Sequence, residues 1–147
     1  MTIYSTNKRA RFDYAILETY EAGIELLGFE VKAIRSGRMN LSGSYAVVKD
    51  NQLWLLNADI PPYQPKNTSS EYNSKRTRRL LLRKEELKEL VGKTHEKGLT
   101  LLPLKVYNKD RFIKIEIGLG KHKKKTDKRE AIKKRDVERE IRRTLKT

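Results

Sequence analysis

The chain has 147 residues, with 34 Lys and Arg against 19 Asp and Glu, a formal net charge of +15, and no Cys. That surplus makes the chain repel itself and seek a polyanion, nucleic acid first among them, while the lack of Cys excludes a disulfide framework and thiolate metal sites and fits a reducing compartment. Met1–Lys8 has no apolar leader segment and the longest apolar runs, such as Leu53–Leu56, fall far short of a bilayer span, so one soluble, cytoplasmic domain with an appendage and no membrane contact is expected.

Residues 12–26 put Phe12, Tyr14 and Ile16 on one parity and then alternate charge with β-formers, which predicts a long strand with a bend or bulge at Gly23. Leu27, Val31 and Ile34 fall at i, i+4 and i+7 and Gly37 follows, so a helix is predicted over 28–36. Residues 45–49 and 52–56 flank Asp50-Asn51, two residues that tolerate positive φ, and predict a tight hairpin. From Pro61 to Arg79 the chain turns polar and ends in Lys75, Arg76, Arg78 and Arg79, which reads as a mobile surface loop. Leu87, Leu90 and Val91 share one helical face that Gly92 ends, with a second turn closing at Gly98. Leu99–Tyr107 and Arg111–Leu119 then read as two strands joined by the three residues Asn108-Lys109-Asp110. Five or six strands with two or three short helices give a mainly β chain, and the expected architecture is a closed antiparallel barrel of the oligonucleotide-binding type.

The basic residues are not spread evenly. Gly120–Thr147 holds 13 Lys/Arg and 5 Asp/Glu, net +8, against 21 and 14, net +7, for residues 1–119, so a barrel domain over 1–119 and a basic tail over 120–147 are expected. Asp127 with Glu130 three residues on has the form of a capping box, predicting a helix from Lys128. Glu130 with Lys134 and Glu138 with Arg142 support that helix by about 0.2–0.5 kcal/mol each. Its apolar stripe of Ile132, Val137, Ile141 and Leu145 is one residue wide, and Lys124/Lys128 and Arg135/Arg139 oppose each other, so alone in water it is marginal. Composition alone reads as a solvated tail. The capping pattern adds a second reading, a segment that becomes helical when phosphates cancel its repulsion.

Other chemistry is thinly represented. Phe12, Tyr14, Tyr45, Trp54 and Phe112 occupy predicted strand positions, where core packing is expected for most and base stacking for any left exposed. His95 and His122 show no metal-ligand spacing, Gly118-Leu-Gly-Lys121 lacks the spacing of a phosphate loop, and no nucleophile elbow is present. Glu18, Glu21 and Glu25 lie on one predicted strand and leave a hydrolytic carboxylate pair open. No metal, cofactor or catalysis is expected.

Several segments, in order along the chain, resemble the small protein B family (SmpB), the transfer-messenger RNA (tmRNA)-binding proteins of bacterial trans-translation. They are Asn7–Tyr14 (NKRARFDY), Glu18–Ile24 (ETYEAGI), Gly28–Arg38 (GFEVKAIRSGR), Asn40–Tyr45 (NLSGSY), Arg78–Leu82 (RRLLL), Gly98–Tyr107 (GLTLLPLKVY), and in the tail Lys123-Lys124 and Asp127–Arg129. The resemblance implies an oligonucleotide-binding barrel that grips the tRNA-like domain of tmRNA. It also implies a tail, unstructured in solution, that becomes helical in the empty messenger channel of a stalled ribosome. The implied partners are tmRNA, the stalled 70S ribosome with its 16S rRNA, and elongation factor Tu in the delivery complex; the protein is expected to act as a monomer and not as an enzyme. By the same resemblance Asn7, Glu21, Leu81 and Lys114 are tied to tmRNA, and Lys123, Lys124, Asp127, Lys128 and Arg129 to the decoding centre, with Asp127 doubling as a helix cap. Arg11, Lys32 and Arg35 are added as phosphate contacts on charge alone.

The chain departs from the family pattern at His122, where Gly is usual, at Thr126, where His or Tyr often precedes Asp-Lys-Arg, and in the loop at 66–77. Either Thr126 serves as a second capping hydroxyl or His122 supplies the missing ring. Two rival classes are a ribosomal or initiation-type barrel with a basic extension, and an RNA-processing enzyme with carboxylates clustered in a basic groove.

Overall fold

The structure is a computed structural model that describes residues 1–96 and 98–146, with side chains left undescribed at 125–127, 130–131 and 143–146. The chain opens with strand β1 (Ile3–Thr6) and a short helix α1 (Lys8–Asp13), followed by the long strand β2 (Tyr14–Ile24) and helix α2 (Gly28–Arg35). Strands β3 (Tyr45–Lys49) and β4 (Gln52–Leu56) form the expected hairpin, with Asp50 and Asn51 at φ of 54° and 55°. Both central residues are left-handed, as the twist of a two-residue hairpin demands. After a single 3-10 turn at Pro65–Asn67 come β5 (Arg78–Leu81), α3 (Lys84–Lys93), β6 (Leu99–Lys109), β7 (Phe112–His122) and α4 (Lys125–Lys146).

All strand pairings are antiparallel, and the order β1-β6-β3-β4-β5-β2-β7 is closed by β7 returning to β6. Closure pairs the long strands β6 and β7 to each other and leaves the four-residue β1, bonded to β6 alone, as a short edge. Strand β6 serves three neighbours: β7 along one side, β3 at Leu101 and β1 at Lys105–Tyr107 on the other. The interior is filled by the inward parity of each strand, including Ala22, Leu53, Leu55, Leu80, Val106, Ile115 and Ile117. Helix α2 adds Ala33 and Ile34 to this core and α3 adds Leu90. Each such fully buried Ile or Leu contributes roughly 1.5–3 kcal/mol relative to exposure.

A second, smaller core of Ala10, Leu102 and Leu104, with Tyr14 and Ile16 packed against it, forms where α1 lies over β6 and β2. Glycines make that approach possible. A Cβ on Gly118 would meet Leu104 Cδ1 at 3.0 Å, and one on Gly120 would meet the Tyr14 Cβ at 3.1 Å.

The structure corrects several expectations. Strand β1 and helix α1 were not foreseen, and Phe12 is helical rather than in a strand. The irregularity in β2 lies between Ile16 and Glu18, not at Gly23. The β6–β7 connection has two residues, since Lys109 pairs with Phe112 and Asp110 takes a φ of 55°. Gly92 sits inside α3, which runs to Lys93. None of Phe12, Tyr14, Tyr45, Trp54 and Phe112 is buried; the buried aromatic residues are Tyr20, in the main core, and Tyr107, covered on the outer side of β6.

The largest correction concerns the basic end of the 61–79 loop. Arg78 is fully buried, and with Arg76 it binds the equally buried carboxylate of Glu30 on α2. Arg78 Nη2 lies 2.6 Å from Glu30 Oε2, Tyr72 Oη donates to the same oxygen at 2.8 Å, and Arg78 Nη1 donates to the Ala58 carbonyl at 2.8 Å. Glu30 Oε1 accepts from the Leu27 amide at 2.8 Å, so one carboxylate starts α2 and fastens the loop. Burial by itself would raise the Glu30 carboxyl, but hydrogen bonds from Arg76, the Leu27 amide and Arg78 override it and hold it at about 2.

At the other end, β7 continues past the compositional boundary at Gly120 and pairs Gly120, Lys121 and His122 with β2. Helix α4 begins at Lys125, before the expected start at Lys128, which places Asp127 inside the first turn rather than ahead of it. The side chains of Thr126 and Asp127, and so the capping roles expected for them, lie outside the described residues.

Candidate nucleic-acid interface

Strand alternation turns Glu21 outward from β2, Lys114 and Glu116 outward from β7, and Tyr107, Lys109 and Lys105 outward from β6. A transverse row crosses this face: Leu81 of β5 pairs with Gly23 of β2, Gly23 with Lys114 of β7, and Lys114 with Tyr107 of β6. Because Gly23 has no side chain, Leu81 can lie close over β2; a Cβ there would meet the Leu81 Cβ at 3.4 Å. The result is an open cleft of about 430 Å³ lined by Glu21, Leu81, Leu82, Arg83, Glu86 and Lys114. Leu81 is 42% exposed at its floor, an apolar surface among charges.

Glu21 is the electrostatic centre of this cleft. Its carboxylate accepts from Tyr107 Oη, and from Lys109 Nζ at 2.9 Å. The Tyr107 hydroxyl, then Lys109, hold its carboxyl below the ordinary value despite some desolvation. Burial and the adjacent Glu21 push the Tyr107 phenol up. Glu21 thus stays ionised and orients Lys109 at the edge of the cleft, while Lys114 Nζ stands 5.8 Å from the Phe112 ring centroid. Sequence reasoning missed Tyr107 and Lys109. Their signal was available in β-strand parity, since both lie on the Lys114 side of the β6–β7 ribbon.

A second cleft, of about 540 Å³, runs between α1 and α4 and is lined by Asn7, Lys8, Arg9, Phe12, Ile132 and Arg135 among others. Asn7 is fixed by a bulge in β6: its amide donates to the Leu104 carbonyl at 2.8 Å and its Nδ2 to the Pro103 carbonyl at 3.0 Å. Arg9 stacks 4.8 Å over the Phe12 ring. The structure therefore brings Glu21, Leu81 and Lys114 into one cleft and leaves Asn7 in another. Arg11 lies between them, 3.5 Å from Glu116. Lys32 and Arg35 are exposed on α2, the latter donating to the Arg111 carbonyl at 3.3 Å.

The carboxylates do not converge on a catalytic pair. Glu18 and Glu21 fall on opposite faces of β2, Glu18 bound to Lys93 and Tyr20, and Glu25 lies 3.6 Å from Arg79. Lys93 and Tyr20 also hold the Glu18 carboxyl below its ordinary value. Among the described residues no cluster of His, Cys, Asp and Glu is arranged to hold a metal, and no helix is long and apolar enough to cross a membrane.

The tail is attached by its root. Lys123 donates from its amide to the Asp13 carbonyl at 2.8 Å and from Nζ to the Arg11 carbonyl at 3.0 Å, and Lys128 Nζ lies 3.1 Å from Asp13 Oδ1. The His122 ring, one candidate for stacking on a base, packs edge-on against Tyr14 at 5.1 Å. Further along, Arg129 is exposed, as are Ile132, Val137 and Ile141, so the described positions of the α4 stripe are not buried by the barrel.

The model of the family described as SmpB protein matches residues 4–147. The chain belongs to the SmpB family. Its relatives include the SsrA-binding protein of Gloeothece citriformis, 49% identical over 144 residues that cover 98% of this chain and 93% of the relative. That of Synechocystis sp. is 48% identical over 144 residues, 98% of this chain and 94% of the relative. A solved chain described as "tmRNA-SmpB: a journey to the center of the bacterial ribosome" superposes with a TM-score of 0.67 at 47% identity, covering 86% of this chain and 92% of that one. The barrel expected from the pattern of strands is thus the fold of an SmpB protein.

Proposed function

We propose that this chain binds the tRNA-like domain of tmRNA through its barrel, delivers it to stalled ribosomes, and probes the empty messenger channel and decoding centre with α4. The observation that carries the reading is the convergence of Glu21, Leu81 and Lys114, from three separate strands, on one outer cleft. An apolar floor between an ionised carboxylate and a lysine suits a folded RNA loop: Lys114 meets phosphate, Leu81 covers a base or ribose, and Glu21 accepts from a base edge or holds Lys109 toward the backbone. Asn7 and Arg11 extend the contact along α1, and Lys32 and Arg35 supply phosphate contacts from α2. The relatives named SsrA-binding protein, at about half identity over nearly the whole length, support the same partner.

In this reading the protein is a non-catalytic monomer of the cytoplasm that joins elongation factor Tu in the delivery complex. The segment 1–119 is the RNA-binding unit and 120–147 the ribosome probe, Lys123, Lys124, Asp127, Lys128 and Arg129 engaging 16S rRNA around the decoding centre. Phosphate neutralises the like charges along α4 and stabilises its helix there. A gel shift with a transcript of the tRNA-like domain tests the RNA half. Binding by the full chain that weakens at least tenfold in Lys114→Ala is expected; equal affinity for an unrelated RNA hairpin would overturn it.

A further inference from the structure

The outer face of the β3–β4 hairpin carries an aromatic patch that the cleft around Glu21 does not use. Tyr45, Val47 and Lys49 point outward from β3, and Gln52, Trp54 and Leu56 from β4, with Tyr45 opposite Leu56 and Val47 opposite Trp54. Tyr45 is 39% exposed and Trp54, Val47 and Leu56 are half-buried. Val47, Lys49, Asp50, Trp54, Leu56 and Thr77 line a shallow depression of about 350 Å³.

Three observations point to one occupant. The Trp54 indole N–H is already taken, donating to the Lys49 carbonyl at 3.1 Å, so what the ring still offers is its π-face. The patch is flanked by cations: Lys49 on the same side of the hairpin, and Arg79, which pairs with Trp54 across β4 and β5 and leans on Glu25 at 3.6 Å. It is also continuous with the cleft, because Arg79 and Leu81 are two residues apart on the outward side of β5.

We propose that the RNA-binding surface extends from Leu81 across Arg79 onto Trp54, where an unpaired nucleotide of the bound RNA stacks on the indole while Arg79 and Lys49 contact its flanking phosphates. A π-face with cations beside it and no free base-reading donor is a sequence-tolerant stacking platform. This inference rests on the RNA-binding reading above.

The chain has one Trp, so its emission reports this site directly. The tRNA-like transcript is titrated into the full chain while binding is followed in parallel by gel shift. Expected are strong quenching of Trp emission that saturates with the gel-shift isotherm, affinity lowered roughly tenfold in Trp54→Ala, and affinity within about threefold of the parent in Trp54→Phe, which keeps a stacking ring. If Trp54→Ala proves unfolded by circular dichroism, the parent titration and Trp54→Phe decide. RNA that binds in the gel shift with emission unmoved and Trp54→Ala unaffected overturns the stacking site and leaves the Glu21 cleft standing. Emission that moves with a ribosomal protein but not with RNA also overturns it, assigning the patch to a protein. Absence of any RNA binding by the parent chain fails the underlying reading instead.

Discussion

Arg78 Nη2 lies 2.6 Å from Glu30 Oε2, and both side chains are fully buried. One carboxylate thus holds the start of α2, a strand and a long loop together. Removing Arg78 leaves the buried Glu30 carboxylate with the partly exposed Arg76 as its remaining cation, and breaking a buried pair costs more than the pair itself contributes. Arg78→Ala is expected to lower stability by about 3–5 kcal/mol in urea unfolding. Arg76→Ala, with a side chain 31% exposed, should cost clearly less.

The same pair sets the acid limit of the fold. The folded Glu30 carboxyl is held at about 2 against an ordinary 4.5, so its contribution is fully present above about 4.5 and is lost as pH falls through 2. That contribution is roughly 3 kcal/mol. Unfolding free energy measured from pH 6 downward should decline over this window in the parent chain. A Glu30→Gln variant should lose much of that slope; an unchanged slope would assign the acid sensitivity elsewhere.

At the cleft, the Tyr107 hydroxyl is the leading cause of the low Glu21 carboxyl. Tyr107→Phe should therefore move the Glu21 titration midpoint upward in a carboxylate-detected NMR titration, with Lys109 still limiting the rise. Affinity for the tRNA-like transcript should fall a few-fold through loss of Glu21 positioning.

Tight glycine packing under α1 predicts the effect of one methyl group. Gly118→Ala would force its Cβ against Leu104 and against Ile16, at 3.0 and 3.3 Å. A loss of roughly 1–3 kcal/mol is expected, read as a lowered thermal midpoint.

Asp13 anchors the root of the tail. Burial raises its carboxyl, but Lys128 and Arg9 override this and hold it below the usual range. Asp13→Ala should cost no more than about 1 kcal/mol, as expected of a solvent-screened bridge. It should measurably speed amide exchange in the first turns of α4.

Much of the fold was legible in the sequence because periodicity and turn chemistry are local. The Asp50-Asn51 hairpin, helix α2 with Gly37 behind it, and the two long strands β6 and β7 were all read from neighbouring residues. Strand β1 and helix α1 were not, because four residues of strand and six of helix are too short to carry a period, and both depend on β6, whose Asn108 amide donates to the Thr2 carbonyl and whose Leu104 carbonyl accepts from the Asn7 amide. The Arg76 and Arg78 ends of the loop looked solvated because their partner, Glu30, is more than 40 residues away. For the site, Glu21, Leu81 and Lys114 came from resemblance; that they share a cleft, and that Tyr107 and Lys109 belong with them, required the register of the sheet.

The most direct test of a barrel that holds tmRNA and a tail that reads the ribosome is a tagging assay on ribosomes stalled without a stop codon, run with the triple variant Asp127→Ala, Lys128→Ala, Arg129→Ala. The account predicts near-parental affinity for the tRNA-like transcript together with loss of tagging. Normal tagging by that variant would contradict it.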